Sequence, residues 1–236
     1  MQLSERLTKI ASMVTAGNCL ADVGTDHGYV PIYLLENRKI ARAIAMDINE
    51  GPLKRARLHI AESGFGQMAE TRLSDGMAAL KPGEADTVVI AGMGGPLMIK
   101  ILSDYPEVTG SLKELILQPQ SEIAQVRKWL YEKGYEITEE HIVFEEGKYY
   151  PMFRAQKGRQ CEEPTDLEYQ FGCLKLQREP ETLRAFLEKE IRGKKEIFEK
   201  LSENPTQKSQ ERAVEMNRIL KGYETVLSQL LESLEK

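Results

Sequence analysis

Cysteine and histidine are scarce in this chain. Cys19, Cys161 and Cys173, with His27, His59 and His141, are spread over 236 residues. No C-x-x-C pair occurs, and nothing has the close spacing by which a chain usually holds zinc. The cysteines read as reduced structural thiols of a cytoplasmic protein, not as a disulfide framework, and no metal is expected. Long apolar runs are missing too. No uncharged stretch reaches the roughly 20 residues a membrane-spanning helix needs, so no membrane partner is expected. The opening residues, MQLSERLTKIASMV, are amphipathic, carry Glu5 and lack the basic-then-apolar order of a secretory signal. An excess of positive charge is also absent. The formal net charge is −5, about −3 of it in residues 1–158 and about −2 in residues 159–236. Such a balance gives no general attraction to nucleic acid. A local attraction remains open, because Arg38, Lys39, Arg42, Lys54, Arg55 and Arg57 crowd one segment.

What is present is apolar material enough for a core, 41% of the residues. In residues 1–158 it is dealt out in two rhythms. NCLADV, ARAIAMD, MAETRLSD, DTVVIAG and KELILQP have the look of strands. YVPIYLLEN, GPLKRARLHIAES, PLMIKILSD and EIAQVRKWLYEKG have helical spacing. Their alternation predicts a parallel sheet covered by helices on both faces. YEITEEHIVFEEGKYYPMFRAQ reads as two extended runs around EEGK, a closing antiparallel hairpin. The pattern breaks around GRQCEEPTD and turns helical. Leu183, Phe186, Leu187, Ile191, Ile197, Phe198 and Leu201 form one stripe. After Asn204-Pro205 a second runs from Met216 through Leu220, Tyr223 and Leu227 to Leu234. Two such helices predict an antiparallel hairpin with coiled-coil character. The chain is thus expected to hold an α/β domain over 1–158 and a helical domain over 159–236.

In an open α/β sheet, ligands bind beyond the carboxyl ends of the strands. The candidate residues fall there. Gly24 and Gly28 follow the first strand in LADVGTDHGYVPIYL, Asp47 ends the second, Asp75 follows the third, and Gly92-Met93-Gly94-Gly95 follows the fourth. Glycines let the backbone turn sharply and approach a ligand. Asp47 suits two ribose hydroxyls, and Asp75 suits an adenine amino group. Together they predict a nucleoside-type cofactor. Asp26 narrows the choice, since a carboxylate in this loop repels a pyrophosphate. S-adenosyl-L-methionine carries adenosine, an ammonium and a sulfonium but no phosphate, and a loop with Asp22 and Asp26 favours it over NAD. The competing reading has Asp26 capping the next helix and pointing away.

The motifs DVGTDHGY, AMDIN, SDG, IAGMGG and LILQP, in this order and followed by a helical tail, resemble the bacterial TrmK family. Its members are S-adenosyl-L-methionine-dependent tRNA (adenine-N1)-methyltransferases acting on adenine 22 of tRNA. LSERL is similar to the family's opening helix, so the resemblance covers essentially the whole chain. It implies a Rossmann-like class I methyltransferase domain with a C-terminal coiled-coil domain. It also implies a first cofactor loop of Asp22, Gly24, Asp26, His27 and Gly28, with Asp47 and Ile48 at the ribose. Asp75 and Gly76 would lie at the adenine, and Ala91, Gly92, Met93 and Gly94 opposite the reacting methyl. Gln120 departs from the family, where Asn is expected.

Methyl transfer depends chiefly on alignment of the nucleophile. Adenine N1 is available only when unpaired, so the base must be exposed or extruded. Amino-directed adenine methyltransferases carry Asn/Asp-Pro-Pro-aromatic at the fourth strand end. Ala91-Gly92-Met93-Gly94-Gly95 offers no polar side chain there and fits attack by the ring nitrogen. Asp26 and His27 are expected to bracket the reacting centre, Asp26 as electrostatic stabiliser or base. Tyr29 either stacks on the target base or packs its helix on the sheet. Arg6, Arg38, Lys39, Lys54, Arg55 and Arg57 are the expected tRNA contacts. Arg192, Lys194, Lys195 and Lys200 would extend that surface, unless they are simply solvated helix charges. A monomer or weak dimer is expected. The rival readings are a methyltransferase of small molecules, an NAD-linked oxidoreductase, and a non-catalytic module pairing through its coiled coil.

Overall fold

The computed structural model describes residues 2–158, 163–203 and 207–235. Cys161 and the expected break at Asn204-Pro205 lie outside them. The chain divides into two units, residues 1–163 and 164–236.

The first unit is built on one seven-stranded sheet. β1 (Cys19–Val23), β2 (Arg42–Asp47), β3 (Ala69–Leu73), β4 (Thr87–Gly94) and β5 (Glu114–Ser121) run parallel, while β6 (Tyr135–Glu145) and β7 (Lys148–Lys157) form an antiparallel hairpin. The order is β3-β2-β1-β4-β5-β7-β6. The inner strands are near-continuous apolar runs because both of their faces are covered. Leu20, Ala43, Ala45, Val89 and Ile116 pack in one core layer with Ile10, Ile32 and Leu34. Their neighbours Ala21, Ile44, Met46, Val88 and Ile90 are buried as well. Glu146 and Gly147 turn the hairpin with φ of 49° and 79°, the left-handed pair that matches strand twist. The strand order reverses between β1 and β4. A crevice is therefore expected above their carboxyl ends.

α1 (Glu5–Met13) starts at Ser4, whose hydroxyl accepts from the Leu7 N–H at 3.3 Å, and Glu5 complements the helix dipole. Its other end is closed by Lys39, whose Nζ donates to Ala11 O at 3.0 Å and Ser12 O at 2.6 Å. α2 (Tyr29–Glu36) is apolar almost all round and correspondingly buried. α3 (Glu50–Glu62) buries Leu53, Ala56 and Ile60 along one stripe. α4 (Gly95–Asp104), α5 (Pro106–Ser111) and α6 (Ile123–Glu132) complete the cover. At the amino ends of the strands the buried Glu114 carboxylate accepts from Thr15 N (2.8 Å), Thr15 Oγ1 (2.7 Å), Thr87 Oγ1 (2.7 Å) and Asn18 Nδ2 (3.3 Å). A buried charge is tolerated when its lone pairs are used in this way.

The second unit holds α7 (Asp166–Phe171), a 3-10 turn at Leu174–Leu176, α8 (Pro180–Glu203) and α9 (Gln207–Leu234). Thr165 and Glu168 form a reciprocal capping box at α7. α8 and α9 pack on each other as an antiparallel pair and bury Leu183, Leu187, Ile191, Leu220, Val226 and Leu230. Ile197 and Leu234, expected on the stripes, are exposed, as is Ile219. Lys194 lies over the Tyr223 ring at 4.4 Å and pairs with Glu190, and Lys195 pairs with Glu224 at 2.9 Å. Among the described residues, no helix is long and apolar enough to cross a membrane.

Candidate active site

The loop after β1 is held by its neighbour. The Gly24 and Thr25 N–H groups both donate to Met46 O on β2, at 2.8 Å. Gly24 has φ +76°, so the position favours glycine for its conformation, and the Met93 methyl packs where a Cβ would stand. His27 adopts φ +59° without being glycine. Such backbone conformations cost on the order of 1 kcal/mol or more and cluster at functional sites. Asp26 is 73% exposed, 3.3 Å from His27 Nε2 and 3.6 Å from an Arg55 nitrogen. The capping alternative for Asp26 does not hold. The cap of α2 is Gly28, and no side chain bonds there.

A cavity of about 200 Å3 opens where the strand order reverses. Asp22 and Gly24 from β1 and its loop, Asp26, Tyr29 from α2, and Ala91 and Gly92 from β4 line it. Asp22 is buried. Desolvation pushes its pKa up to about 6, and the Asp47 and Asp26 carboxylates act in the same direction. The wall thus holds an undercompensated carboxylate, a group whose charged form would be restored by a bound cation. Tyr29 also joins a cluster of rings. Its ring is nearly parallel to His27 (5.0 Å) and His59 (5.7 Å), and His27 and His59 are 5.3 Å apart.

The other expected residues follow the same sheet edge outside this cavity. Asp47 ends β2 and accepts from the Asn49 N–H at 2.7 Å, and Ile48 beside it is 60% exposed. Asp75 is exposed, with Tyr105 donating to its backbone carbonyl at 3.2 Å, and Gly76 follows it. Met93 and Gly94 lie where β4 slips register against β5. Among the described residues, no three His, Cys, Asp or Glu side chains group to hold a metal.

The expected cations separate. Arg55 reaches Asp26. Arg57 lies 3.7 Å from Glu50 and donates to Thr71 at 3.1 Å, while Arg38 and Lys54 are exposed. Lys39 is committed to α1, and partial burial lowers its pKa. Arg6 lines the cavity itself. Two participants escaped the sequence reading. His59 completes the ring cluster and its Nδ1 lies 3.1 Å from His27 O. Gln118, 1% exposed, accepts from Gly92 N at 3.1 Å and Arg6 Nη1 at 3.0 Å. A glutamine inside the apolar run LILQP was the available signal, whereas Gln120 two places on is exposed.

Residues 3–153 match the family model described as a methyltransferase domain. A curated relative, the tRNA (adenine(22)-N(1))-methyltransferase of Bacillus subtilis, is 38% identical over 158 residues, 67% of this chain. That stretch spans 66% of the relative's length, just under two thirds. The crystal structure of the B. subtilis M1A22 tRNA methyltransferase TrmK is similar at TM-score 0.84 and 30% identity, covering 96% of this chain and 99% of that one. M. capricolum TrmK in complex with S-adenosyl-homocysteine is similar at TM-score 0.85 and 27% identity, over 97% and 99% of the two chains.

Proposed function

The chain belongs to the methyltransferase-domain family and, within it, to the TrmK family; from that premise we propose that it methylates N1 of adenine 22 in tRNA, using S-adenosyl-L-methionine. The observation that carries the reading is the cavity where the strand order reverses, with buried Asp22 in its wall and Asp26 and Tyr29 beside it.

The residues present fit that cofactor. Asp22 offers a buried carboxylate for an ammonium, and bare backbone at Gly24 and Gly92 leaves room at the strand ends. Asp47 with Ile48 would hold the ribose, and Asp75 with Gly76 the adenine, each at the end of its own strand. His27, Gly28, Met93 and Gly94 shape the loops around them. When bound, the cofactor supplies a methyl group on a positive sulfur. Ala91 and Gly92 present no side chain that competes for the target base. Methylation at N1 leaves the adenine cationic, and the exposed Asp26 carboxylate stabilises that charge or takes the amino proton. Tyr29, backed by His27 and His59, offers a flat face for the extruded base. Lys54, Arg55 and Arg57, exposed on α3, supply phosphate contacts, whereas Arg38, between α2 and β2, lies toward the amino ends of the strands, away from the loop.

The test is methyl incorporation from labelled cofactor into unmodified tRNA transcripts, with the modified base mapped by primer-extension arrest. Arrest at adenine 22 that disappears when that base is guanine is the expected result. Cofactor binding without transfer to any tRNA would overturn the substrate assignment.

A further inference from the structure

An amino-acid end carries two opposite charges. A wall made only of carboxylates would welcome its ammonium and repel its carboxylate. Asp22 and Asp26 are such a wall, and among the described residues lining the cavity Arg6 is the one cation.

Arg6 is not a loose surface arginine. Its side chain is 23% exposed. Its Nη1 donates to Gln118 Oε1 at 3.0 Å, and the same oxygen accepts from Gly92 N at 3.1 Å. The Arg6 backbone N–H donates to Glu145 Oε1 at 3.1 Å, and the guanidinium lies over the Tyr150 ring at 5.3 Å. Three strands, β5, β6 and β7, therefore fix one side chain of α1. The partners leave its charge only partly answered. The hydrogen-bonded side chain is a neutral amide, and the guanidinium Nε stands 4.0 Å from Glu145 Oε2, the outer limit of an ion pair. Gly92, with φ +76°, lies beside the guanidinium, its Cβ position 3.9 Å from Arg6 Nη1. A fixed guanidinium suits a carboxylate, which it can bond through two parallel N–H groups.

We propose that Arg6 binds the carboxylate of the cofactor's amino-acid end while Asp22 takes its ammonium, so that the cavity recognises a zwitterion. This rests on the methyltransferase reading above. It moves Arg6 from the expected tRNA contacts to the cofactor.

Calorimetric binding of two ligands separates the possibilities. One is S-adenosyl-homocysteine. The other is its decarboxylated counterpart, which keeps the adenosine and the ammonium. Both are titrated into the wild-type chain, Arg6→Lys and Arg6→Met, with tRNA binding measured on the same samples. Wild type should prefer the carboxylate-bearing ligand. Arg6→Met should lose at least about tenfold in affinity for it, the scale of a hydrogen bond between charged groups. Affinity for the decarboxylated ligand should stay, which also shows that the variant is folded. Arg6→Lys should retain part of the preference. Equal losses for both ligands would make Arg6 a structural clamp and overturn the assignment. Unchanged ligand binding with weakened tRNA binding would return Arg6 to the RNA and overturn it equally. Wild-type protein that binds neither ligand would sink the methyltransferase reading, and this assignment with it.

Discussion

Asparagine at position 22 should make the ligand-free protein more stable. Asp22 is buried beside two other carboxylates, and its pKa rises from 3.8 to about 6. The shift runs upward, so the folded state holds a proton that the unfolded state has already lost between those values. Stability therefore falls as pH rises through that window and stays low above it. Two pKa units correspond to about 3 kcal/mol. Asp22→Asn removes the ionisation but keeps the shape. Relative to wild type it should gain about 3 kcal/mol at pH 7.5 and about 1 kcal/mol at pH 4.5, where the unfolded carboxyl is only partly ahead of the folded one. Urea denaturation of both proteins at both pH values measures this, and taking the difference isolates the one carboxyl. The same variant should bind S-adenosyl-homocysteine far more weakly. Wild-type affinity should decline below pH 6 as Asp22 protonates, and the variant's should not. A stability gain independent of pH, or a loss at pH 7.5, would show that the Asp22 charge is already answered within the protein.

Asp26→Asn should lower turnover by about a hundredfold, the scale of a lost acid–base or electrostatic group, with S-adenosyl-homocysteine affinity nearly kept; unchanged single-turnover rates would remove Asp26 from the chemistry. tRNA affinity should fall steeply with added salt, and Arg55→Ala should flatten the log–log slope by about one; a slope equal to wild type would take Arg55 out of the interface. Glu114→Ala strands four donors at the far end of the sheet. It should cost about 3 kcal/mol or more in chemical denaturation while cofactor affinity of the folded protein stays near wild type.

The sheet was legible because its strands are short apolar runs with period and punctuation of their own. Cys19–Val23, Arg42–Asp47 and Thr87–Gly94 fall on NCLADV, ARAIAMD and the run from DTVVIAG. EEGK marked the hairpin turn because Glu146 and Gly147 must both take positive φ. The short α5 and α7 were not read. Yet Thr165 and Glu168 carry a capping-box spacing that was available. At the site, glycines and carboxylates were visible because strand ends demand them locally. Gln118 and His59 carry no such local mark, and Arg6 reads from sequence only as a cation, because their partners lie far along the chain. Lys39 stands among cations of similar sequence position, but the end of α1, 27 and 28 residues earlier, claims it. The helical stripes mark the pairing of α8 and α9, and Ile197 and Leu234 on them are nonetheless exposed.

The clamp on Arg6 also sets an order of assembly. Arg6 belongs to the first helix, yet its anchors at residues 118, 145 and 150 come more than a hundred residues later, and the bond to Glu145 spans 139 positions. During synthesis the glycine loop and the first strands emerge well before those anchors do. The amino-terminal helix must then wait, unlatched, until the closing hairpin has left the ribosome. A small molecule that needs both Asp22 and Arg6 can stabilise the finished domain but cannot rescue the nascent one.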